Sequence, residues 1–213
     1  DDAWLQYRWA FFRDALASSL SRQTVRNFTW LVFCDETAPD WLREEFAELS
    51  PGLFTPVWID QPWSHTVIRD AVSAALTQDQ YLITTRIDSD DAVSKKFIEE
   101  VQSHFDDQDN LYINLLRGVQ VERSGQVFAY DEPANPFISY IERLVPNQPP
   151  RTVFQSFSHG ACRQLGPVLN VVTAPRWMQV IHGSNVANSV RGLRIKPQIV
   201  SAEFDLELPF TTT

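Results

Sequence analysis

Apolar side chains recur near helical spacing across residues 4–20, and this pattern predicts an amphipathic helix. The segment 29–34 (TWLVFC) is short and rich in β-branched and aromatic residues, so it predicts a buried strand. Thr37 precedes an Ala-Pro pair, which predicts an N-cap and a helix that ends near Leu49. A second strand is predicted over 53–59.

The same alternation of helices and strands continues to residue 116. Ser64 predicts the N-cap of a helix over 65–77, and the apolar run 81–87 (YLITTRI) predicts a strand. Residues 93–105 place their apolar side chains on one helical face, which predicts a further helix. This alternation is typical of a mainly parallel sheet that is covered by helices on both faces.

The second half of the chain has a different pattern. Two alternating runs, 119–123 and 126–130, flank a Ser-Gly pair, which predicts a β-hairpin. The segment 131–151 is rich in proline and holds one short amphipathic stretch, 137–144, so it predicts an excursion over the surface.

Length and charge narrow the class of protein. The 213 residues, 44% of them hydrophobic, suffice for one sizeable core. We predict one α/β domain over 1–213, in which the alternating residues 1–116 are followed by a smaller antiparallel portion, residues 117–213. The net charge is −9, from 18 basic and 27 acidic residues, and the basic residues are scattered. Nucleic acid is therefore not expected as a partner.

Membrane and redox features are also absent from the sequence pattern. No apolar run reaches the roughly 20 residues needed to cross a bilayer, and no signal peptide opens the chain. Cys34 and Cys162 are too few for a disulfide framework. These features predict a cytoplasmic protein with no integral membrane segment.

Three carboxylates within four positions end the predicted strand 81–87, namely Asp88, Asp90 and Asp91. Open α/β sheets bind ligands beyond the carboxyl ends of their strands, and divalent cations commonly bridge carboxylates to substrate phosphates. Carboxylates this close repel one another unless a cation is present. The segment therefore predicts a metal and diphosphate site. The alternative is that Asp90 or Asp91 caps the following helix.

A resemblance to a known family rests on three segments. Residues 18–35 contain Ser-Leu-Ser-Arg-Gln-Thr, then Asn-Phe, and end in an aspartate. This stretch resembles the S-L-x-x-Q-T-x-x-N-F stretch of inverting glycosyltransferases of the GT-A type. With 84–92 (TTRIDSDDA) and 177–185 (WMQVIHGSN), it closely resembles a bacterial family of rhamnosyltransferases.

The resemblance implies a GT-A fold and a metal cofactor, Mn²⁺ or Mg²⁺. It also implies a nucleotide-sugar donor, dTDP-L-rhamnose, and a saccharide or lipid-linked acceptor. Under this hypothesis residues 1–116 bind the nucleotide sugar and residues 117–213 face the acceptor. The reaction would take place in the cytoplasm, with peripheral association at the inner face of the plasma membrane.

The resemblance further implies residue roles. Asp35 matches the acidic residue that contacts the nucleotide base, although a turn-forming aspartate is the alternative. Asp88 matches the residue that touches ribose or diphosphate, and Asp90 matches the metal ligand. Asp91 is expected to be an additional ligand or a supporting residue. Arg86 is expected either to contact the nucleotide or to pair with these aspartates.

His182 is a further candidate metal ligand. It follows the apolar stretch 177–181 and precedes Gly183, where the backbone can approach a ligand closely. Several GT-A families use a C-terminal histidine on the metal, and imidazole is a common ligand of transition metals. We expect His182 to lie within reach of a metal bound at Asp90. The alternative is a histidine that follows a helix and meets its dipole.

The catalytic base is less clearly marked in the sequence. An inverting transfer needs a carboxylate or histidine that takes the proton of the acceptor hydroxyl. Asp131, Glu132 and His159 lie in the half expected to face the acceptor, and His159 is the preferred candidate. The alternative for His159 is a loop histidine that is hydrogen-bonded to the backbone. None of the three has a distinctive spacing.

Two other classes of protein are alternatives. A sugar-1-phosphate nucleotidyltransferase shares the α/β sheet and the carboxylates but needs a glycine-rich basic loop, which the N-terminal region lacks. A non-catalytic carbohydrate-binding protein on the same fold would use some of the seven tryptophans for sugar stacking. GT-A enzymes begin with a strand, and no strand pattern precedes Trp4. We therefore expect an N-terminal strand to be missing from this chain.

Overall fold

The computed structural model describes residues 2–182 and 189–206. Its helices and strands, in chain order, are α1 (Asp2–Phe11), α2 (Ser18–Ser21), β1 (Leu31–Asp35), α3 (Asp40–Leu49), β2 (Thr55–Ile59), α4 (His65–Ala75), β3 (Tyr81–Thr85), β4 (Ala92–Val93), α5 (Phe97–Gln102), β5 (Leu111–Leu115), β6 (Arg117–Glu122), β7 (Val127–Asp131), β8 (Ser139–Arg143), α6 (Cys162–Leu165), β9 (Val168–Val171), β10 (Trp177–Ile181) and β11 (Leu193–Ile195). Helices and sheets are both present, so the predicted α/β class is confirmed.

The predicted N-terminal helix is interrupted by a π-helical turn. The turn, Phe12–Ala17, connects α1 to α2, and such turns often occur at functional sites. Phe11 packs in one hydrophobic cluster with side chains of β6 and β10, whereas its neighbour Phe12 packs in a second cluster with Trp177. The helix therefore contributes to two cores at once.

β1 and β2 form a parallel pair with α3 as the crossover, close to the predicted bounds. The predicted N-cap of α3 is wrong. Pro39 precedes the helix, and Thr37 instead donates its backbone N–H and its hydroxyl to Asp35. Thr37 thus forms a local turn with Asp35. Such local bonds between side chain and backbone commonly compete with helix capping.

The second sheet has the strand order β3-β8-β5-β9. α4 leads into it, and Ser64 accepts a bond from the Val67 N–H at 3.3 Å, so the predicted N-cap is confirmed. The predicted surface excursion over 131–151 is wrong, because β8 lies between β3 and β5 and four of its five residues are buried. The burial of β8 comes from its neighbours β3 and β5, and the sequence of β8 itself does not indicate them.

The third sheet has the order β11-β7-β6-β10-β4. The predicted hairpin is confirmed, since β6 and β7 pair in antiparallel fashion around a turn at Gly125. The helix predicted over 93–105 begins only at Phe97. Residues 92–93 pair with β10 instead, because this pairing buries Val93 completely.

The prediction of a mainly parallel sheet is wrong. Among the described residues three strand pairs are parallel and five are antiparallel. Antiparallel partners arise because β8 and β4 return beside strands that run in the opposite direction. The sheets are small and mixed.

Candidate functional site

The carboxylates after β3 lie on a turn that leads into β4. The Asp88 side chain is half-exposed, Asp90 is 7% exposed and Asp91 is 1% exposed. Neither Asp90 nor Asp91 caps a helix, because α5 begins at Phe97 with Lys96 as its N-cap residue. The capping hypothesis is therefore wrong for both.

The Ser-Leu-x-x-Gln-Thr stretch holds the chain that follows these carboxylates. The Ser19 hydroxyl accepts a bond from the Val93 N–H at 3.2 Å. The buried Gln23 amide donates to the Ser94 carbonyl at 2.8 Å and accepts from the Ile98 N–H at 3.0 Å. The Ser-Leu-x-x-Gln-Thr stretch thus positions β4 and the start of α5 through Ser19 and Gln23.

The pairing of β4 with β10 brings His182 to the carboxylates. Met178 pairs with Ala92 in antiparallel register, and the Val180 N–H donates to the Asp91 carboxylate at 3.0 Å. Two residues later, His182 Nε2 lies 2.9 Å from Asp90 Oδ2. The two residues are therefore within reach of each other, as expected from the sequence. His182 follows a strand, so the alternative of a histidine after a helix is wrong.

The imidazole of His182 is held in one orientation. Its ring stacks on Phe11 at a centroid distance of 4.4 Å and meets the edge of Tyr7 at 5.5 Å. The Tyr7 hydroxyl donates to the His182 carbonyl at 3.0 Å. The His182 side chain has no exposed surface, so α1 fixes the ring with Nε2 directed at Asp90. Gly183, expected to approach a ligand, lies outside the described residues.

Arg8 completes this cluster, although no sequence pattern indicated it. Its Nη1 donates to Asp90 Oδ2 and lies 3.4 Å from His182 Nε2, while its Nη2 donates to the Ser89 hydroxyl at 2.9 Å. Arg8 belongs to a helix whose pattern reports only which face is buried. Its partner Asp90 lies 82 residues later in the sequence, so no local pattern around Arg8 indicates the contact.

Negative charge is concentrated at this turn. Burial raises the pKa of the Asp91 carboxyl well above its usual value, and the charges of Asp90 and Asp88 raise it further. The Asp91 carboxylate accepts from the backbone of β10, which is the contact expected of a supporting residue. The three carboxyl groups of Asp88, Asp90 and Asp91 together favour a cation beside them.

Asp90 and His182 are the residues that would hold a metal at the carboxylate turn. In the described ranges no three His, Cys, Asp or Glu side chains are arranged around a common metal position. The pair supplies one oxygen and one nitrogen donor from two converging segments. Mg²⁺ in nucleotide enzymes is usually held by one or two carboxylates, while phosphates and water complete its coordination. Two protein donors therefore suffice when a diphosphate is bound.

Arg86 pairs with Asp88 and also anchors a loop. Its Nη2 lies 3.4 Å from Asp88 Oδ1, and its Nη1 donates to the Phe157 carbonyl at 2.8 Å. The guanidinium lies over the ring of Phe154 at 5.5 Å. The structural pairing considered for Arg86 is therefore observed, and it ties the segment around residue 157 to the carboxylates.

A groove of about 1100 Å³ has Asp88 and Ser89 of the carboxylate turn in its lining. Its walls include β1 and β3, which are edge strands of separate sheets among the described residues. The half-exposed Trp63 also lines it. The groove thus lies against strands of two sheets and against the carboxylate turn.

A shallower cleft of about 780 Å³ lies beyond the carboxyl ends of β1 and β2 and contains Asp35. Two bonds from Thr37, first from its hydroxyl at 2.6 Å and then from its N–H at 2.8 Å, lower the pKa of Asp35. The turn-forming role is therefore observed. Burial raises the pKa of the neighbouring Cys34 thiol to about 12, so a thiolate nucleophile is excluded there.

Comparison with known proteins identifies the family. A sequence model for the family described as "Putative rhamnosyl transferase" matches residues 1–194 of the 213. The chain belongs to this rhamnosyltransferase family. It is accordingly a glycosyltransferase. No curated protein matches the chain.

The candidate base His159 of this rhamnosyltransferase-family chain lies in the loop that Arg86 anchors. Its Nδ1 contacts the Ala134 carbonyl oxygen. A carbonyl oxygen can only accept, so the contact assigns the proton to Nδ1 and leaves the Nε2 lone pair to accept a proton. The alternative of a loop histidine bonded to the backbone is therefore observed, and the role of His159 as a general base stays a prediction.

Asp131 and Glu132 are not brought to the same end of the third sheet as His182, and His159 contacts Ala134, which is bonded to Glu132. Asp131 pairs with Arg117 at the start of β6, whereas Ile181 pairs with Glu122 at its end. The five intervening steps correspond to about 17 Å along the strand. Both Glu132 carboxylate oxygens accept local bonds, one from the Tyr130 hydroxyl and one from the Ala134 N–H.

No helix within the described residues of this family member is long and apolar enough to cross a membrane.

Proposed function

We propose that this glycosyltransferase transfers L-rhamnose from dTDP-L-rhamnose to a saccharide or lipid-linked acceptor, with inversion at the anomeric carbon. Mn²⁺ or Mg²⁺ is held by Asp90 and His182 in this proposal. The observation that supports the metal ligands is the 2.9 Å contact between Asp90 Oδ2 and His182 Nε2 beyond the carboxyl end of β3. Ligands of α/β proteins bind at that end of a sheet.

The residues around the groove and the shallower cleft have different roles in this proposal. Asp90 and His182 bind the cation, which when present neutralises the charge of the departing nucleoside diphosphate. Asp88, half-exposed in the lining of the groove, offers its carboxylate to the ribose or the diphosphate. Asp35 and the half-exposed Trp63 line the shallower cleft, where the nucleobase would bind.

The GT-A assignment belongs to the same proposal. β1 and β2 form a parallel pair joined by a helix, as the nucleotide-binding half of such a fold requires. The open edges of β1 and β3 both border the large groove.

The setting follows from the proposed substrates. Nucleotide sugars are made in the cytoplasm, so we place the reaction there, with peripheral association at the inner face of the plasma membrane for a lipid-linked acceptor.

A panel of nucleotide sugars tests the donor. The protein is incubated with each donor and Mn²⁺, with EDTA as the metal-free control, and the released nucleotide is identified by mass spectrometry. We expect metal-dependent release of dTDP from dTDP-L-rhamnose. Formation of a nucleotide sugar from sugar phosphate and triphosphate would instead identify a nucleotidyltransferase, and binding without release would identify a non-catalytic protein.

His159→Asn tests the proposed base. The asparagine amide can replace the bond of Nδ1 to Ala134 but has no atom at the position of Nε2. We expect kcat to fall by roughly 100-fold to 10000-fold, with KM for the donor little changed, because the proton is accepted only in the transition state.

Asp131→Asn is the matched control for His159→Asn. Asp131 is exposed, with an ion-pair distance to Arg117 of 3.7 Å, and its loss should leave kcat near that of the native protein. If the two variants were equally active, His159 would not be the base. A large loss in the Asp131 variant alone would assign the role to Asp131.

A further inference from the structure

Arg8 lies on the two atoms that the proposed function assigns to the metal. Its Nη1 donates to Asp90 Oδ2 and lies 3.4 Å from His182 Nε2. A cation coordinated by those two atoms at roughly 2 Å would overlap the position of this guanidinium. The ion pair with Arg8 and the metal complex are therefore alternative states of the same site.

The structure allows the Arg8 side chain to leave while its helix stays in place. α1 is fixed by the bond from the Tyr7 hydroxyl to His182 and by the stacking of Phe11 on the imidazole. The Arg8 side chain is 23% exposed. Its outer neighbour, Trp4, lies 5.8 Å away and is 52% exposed. The Arg8 side chain therefore reaches solvent while its helix is held in place.

We propose that Arg8 is a built-in counter-ion that holds Asp90 in the metal-free protein and is displaced when the divalent cation binds. The proposal rests on the assignment of Asp90 and His182 as metal ligands. In the metal-free state the guanidinium offsets the repulsion among the carboxylates of the turn. In the metal-bound state it is released beside the bound diphosphate. Arg8 therefore stabilises the empty protein and lowers its affinity for the metal.

Two opposite effects of Arg8→Gln distinguish this role from a purely structural one. The melting temperature of the metal-free protein should fall, because a charge-assisted bond to a buried carboxylate is lost. The affinity for Mn²⁺ should rise by about tenfold, equivalent to about 1.4 kcal/mol. A residue that merely supported the site would lower both quantities when replaced.

The experiment titrates the 213-residue chain with Mn²⁺ and follows the signal of free Mn²⁺ by electron paramagnetic resonance, with and without dTDP. Arg86→Gln removes a guanidinium from Asp88 instead of Asp90, and Arg13→Gln removes one that pairs with Asp14 in the adjoining π-helical turn. If only the change in net charge mattered, all three variants would bind more tightly to the same degree. We expect the full effect in Arg8→Gln alone.

Arg8→Lys and Asp90→Asn complete the test. Lysine keeps the charge but replaces the two guanidinium nitrogens that contact Asp90 and Ser89 with a single nitrogen, so we expect an Mn²⁺ affinity between those of the native protein and Arg8→Gln. This variant also serves if Arg8→Gln folds poorly. If Asp90→Asn abolished binding while neither Arg8 variant strengthened it, the counter-ion role would be overturned and the metal site would stand. Absence of Mn²⁺ binding in every variant would overturn both.

Discussion

Asp90→Asn is expected to abolish the thermal stabilisation that Mn²⁺ and dTDP together give the native protein. It should also lower the rate of sugar transfer on the order of 100-fold to 1000-fold, the range seen when one electrostatic group is removed from a preorganised site. Asparagine keeps the size of the side chain and can still bond to His182, but it loses the anionic oxygen that a hard cation prefers. Ligands that bind only the folded state raise its melting temperature by mass action.

Differential scanning fluorimetry with and without Mn²⁺ and dTDP measures the shift, and the release of dTDP measures the rate. Asp14→Asn is the matched control, because Asp14 carries the same charge and pairs with Arg13 away from the carboxylate turn. A shift that survived in Asp90→Asn would remove this residue from the metal site. A metal-free melting temperature far below that of the native protein would mark a folding defect instead.

Gly118→Ala is expected to destabilise the protein by about 3 kcal/mol, at the upper end of the usual range for overpacked cores. A Cβ at this position would lie 2.1 Å from the Trp177 ring. Trp177 cannot yield, since it is fully buried, stacks on Phe137 at 5.3 Å and donates its indole N–H to the Leu115 carbonyl at 2.8 Å.

Urea denaturation measures this change, with Gly160→Ala as the same substitution in an open position. The nearest side-chain atom to a Cβ at Gly160 is 3.8 Å away, so we expect a change within about 0.5 kcal/mol. Equal midpoints for the two variants would contradict the packing described around Trp177. Because Trp177 begins the strand that leads to His182, the first variant should also weaken metal binding.

The elements predicted correctly from the sequence are those that local rules decide. The helix at the N-terminus, the unit β1–α3–β2 and the hairpin β6–β7 each show their periodicity or turn residues within a short window. β8 does not, because its burial comes from β3 and β5, which lie about 30 to 60 residues earlier in the chain. Tertiary context overrides local pattern at such positions.

In the candidate site, too, residues marked by local sequence are predicted and those set by distant contacts are not. Asp90 is marked by the carboxylates around it, and His182 by its place after an apolar run, so both are predicted from the sequence. Arg8 is not, since a single arginine on a helix has no local feature that separates it from a solvated one. The roles of Asp90 and His182 as metal ligands, like those of Asp35, Asp88 and His159, stay predictions that the proposed variants and the donor panel can test.

The two halves of the chain are interleaved rather than joined end to end. β8 (Ser139–Arg143) and β9 (Val168–Val171) flank β5, so a fragment that ended at residue 116 would leave β3 and β5 without their shared neighbour. A chimaera of two members of this family with one crossover near residue 116 would therefore pair β3 and β5 of one parent with β8 and β9 of the other. Keeping each sheet from a single parent calls for at least two further crossovers.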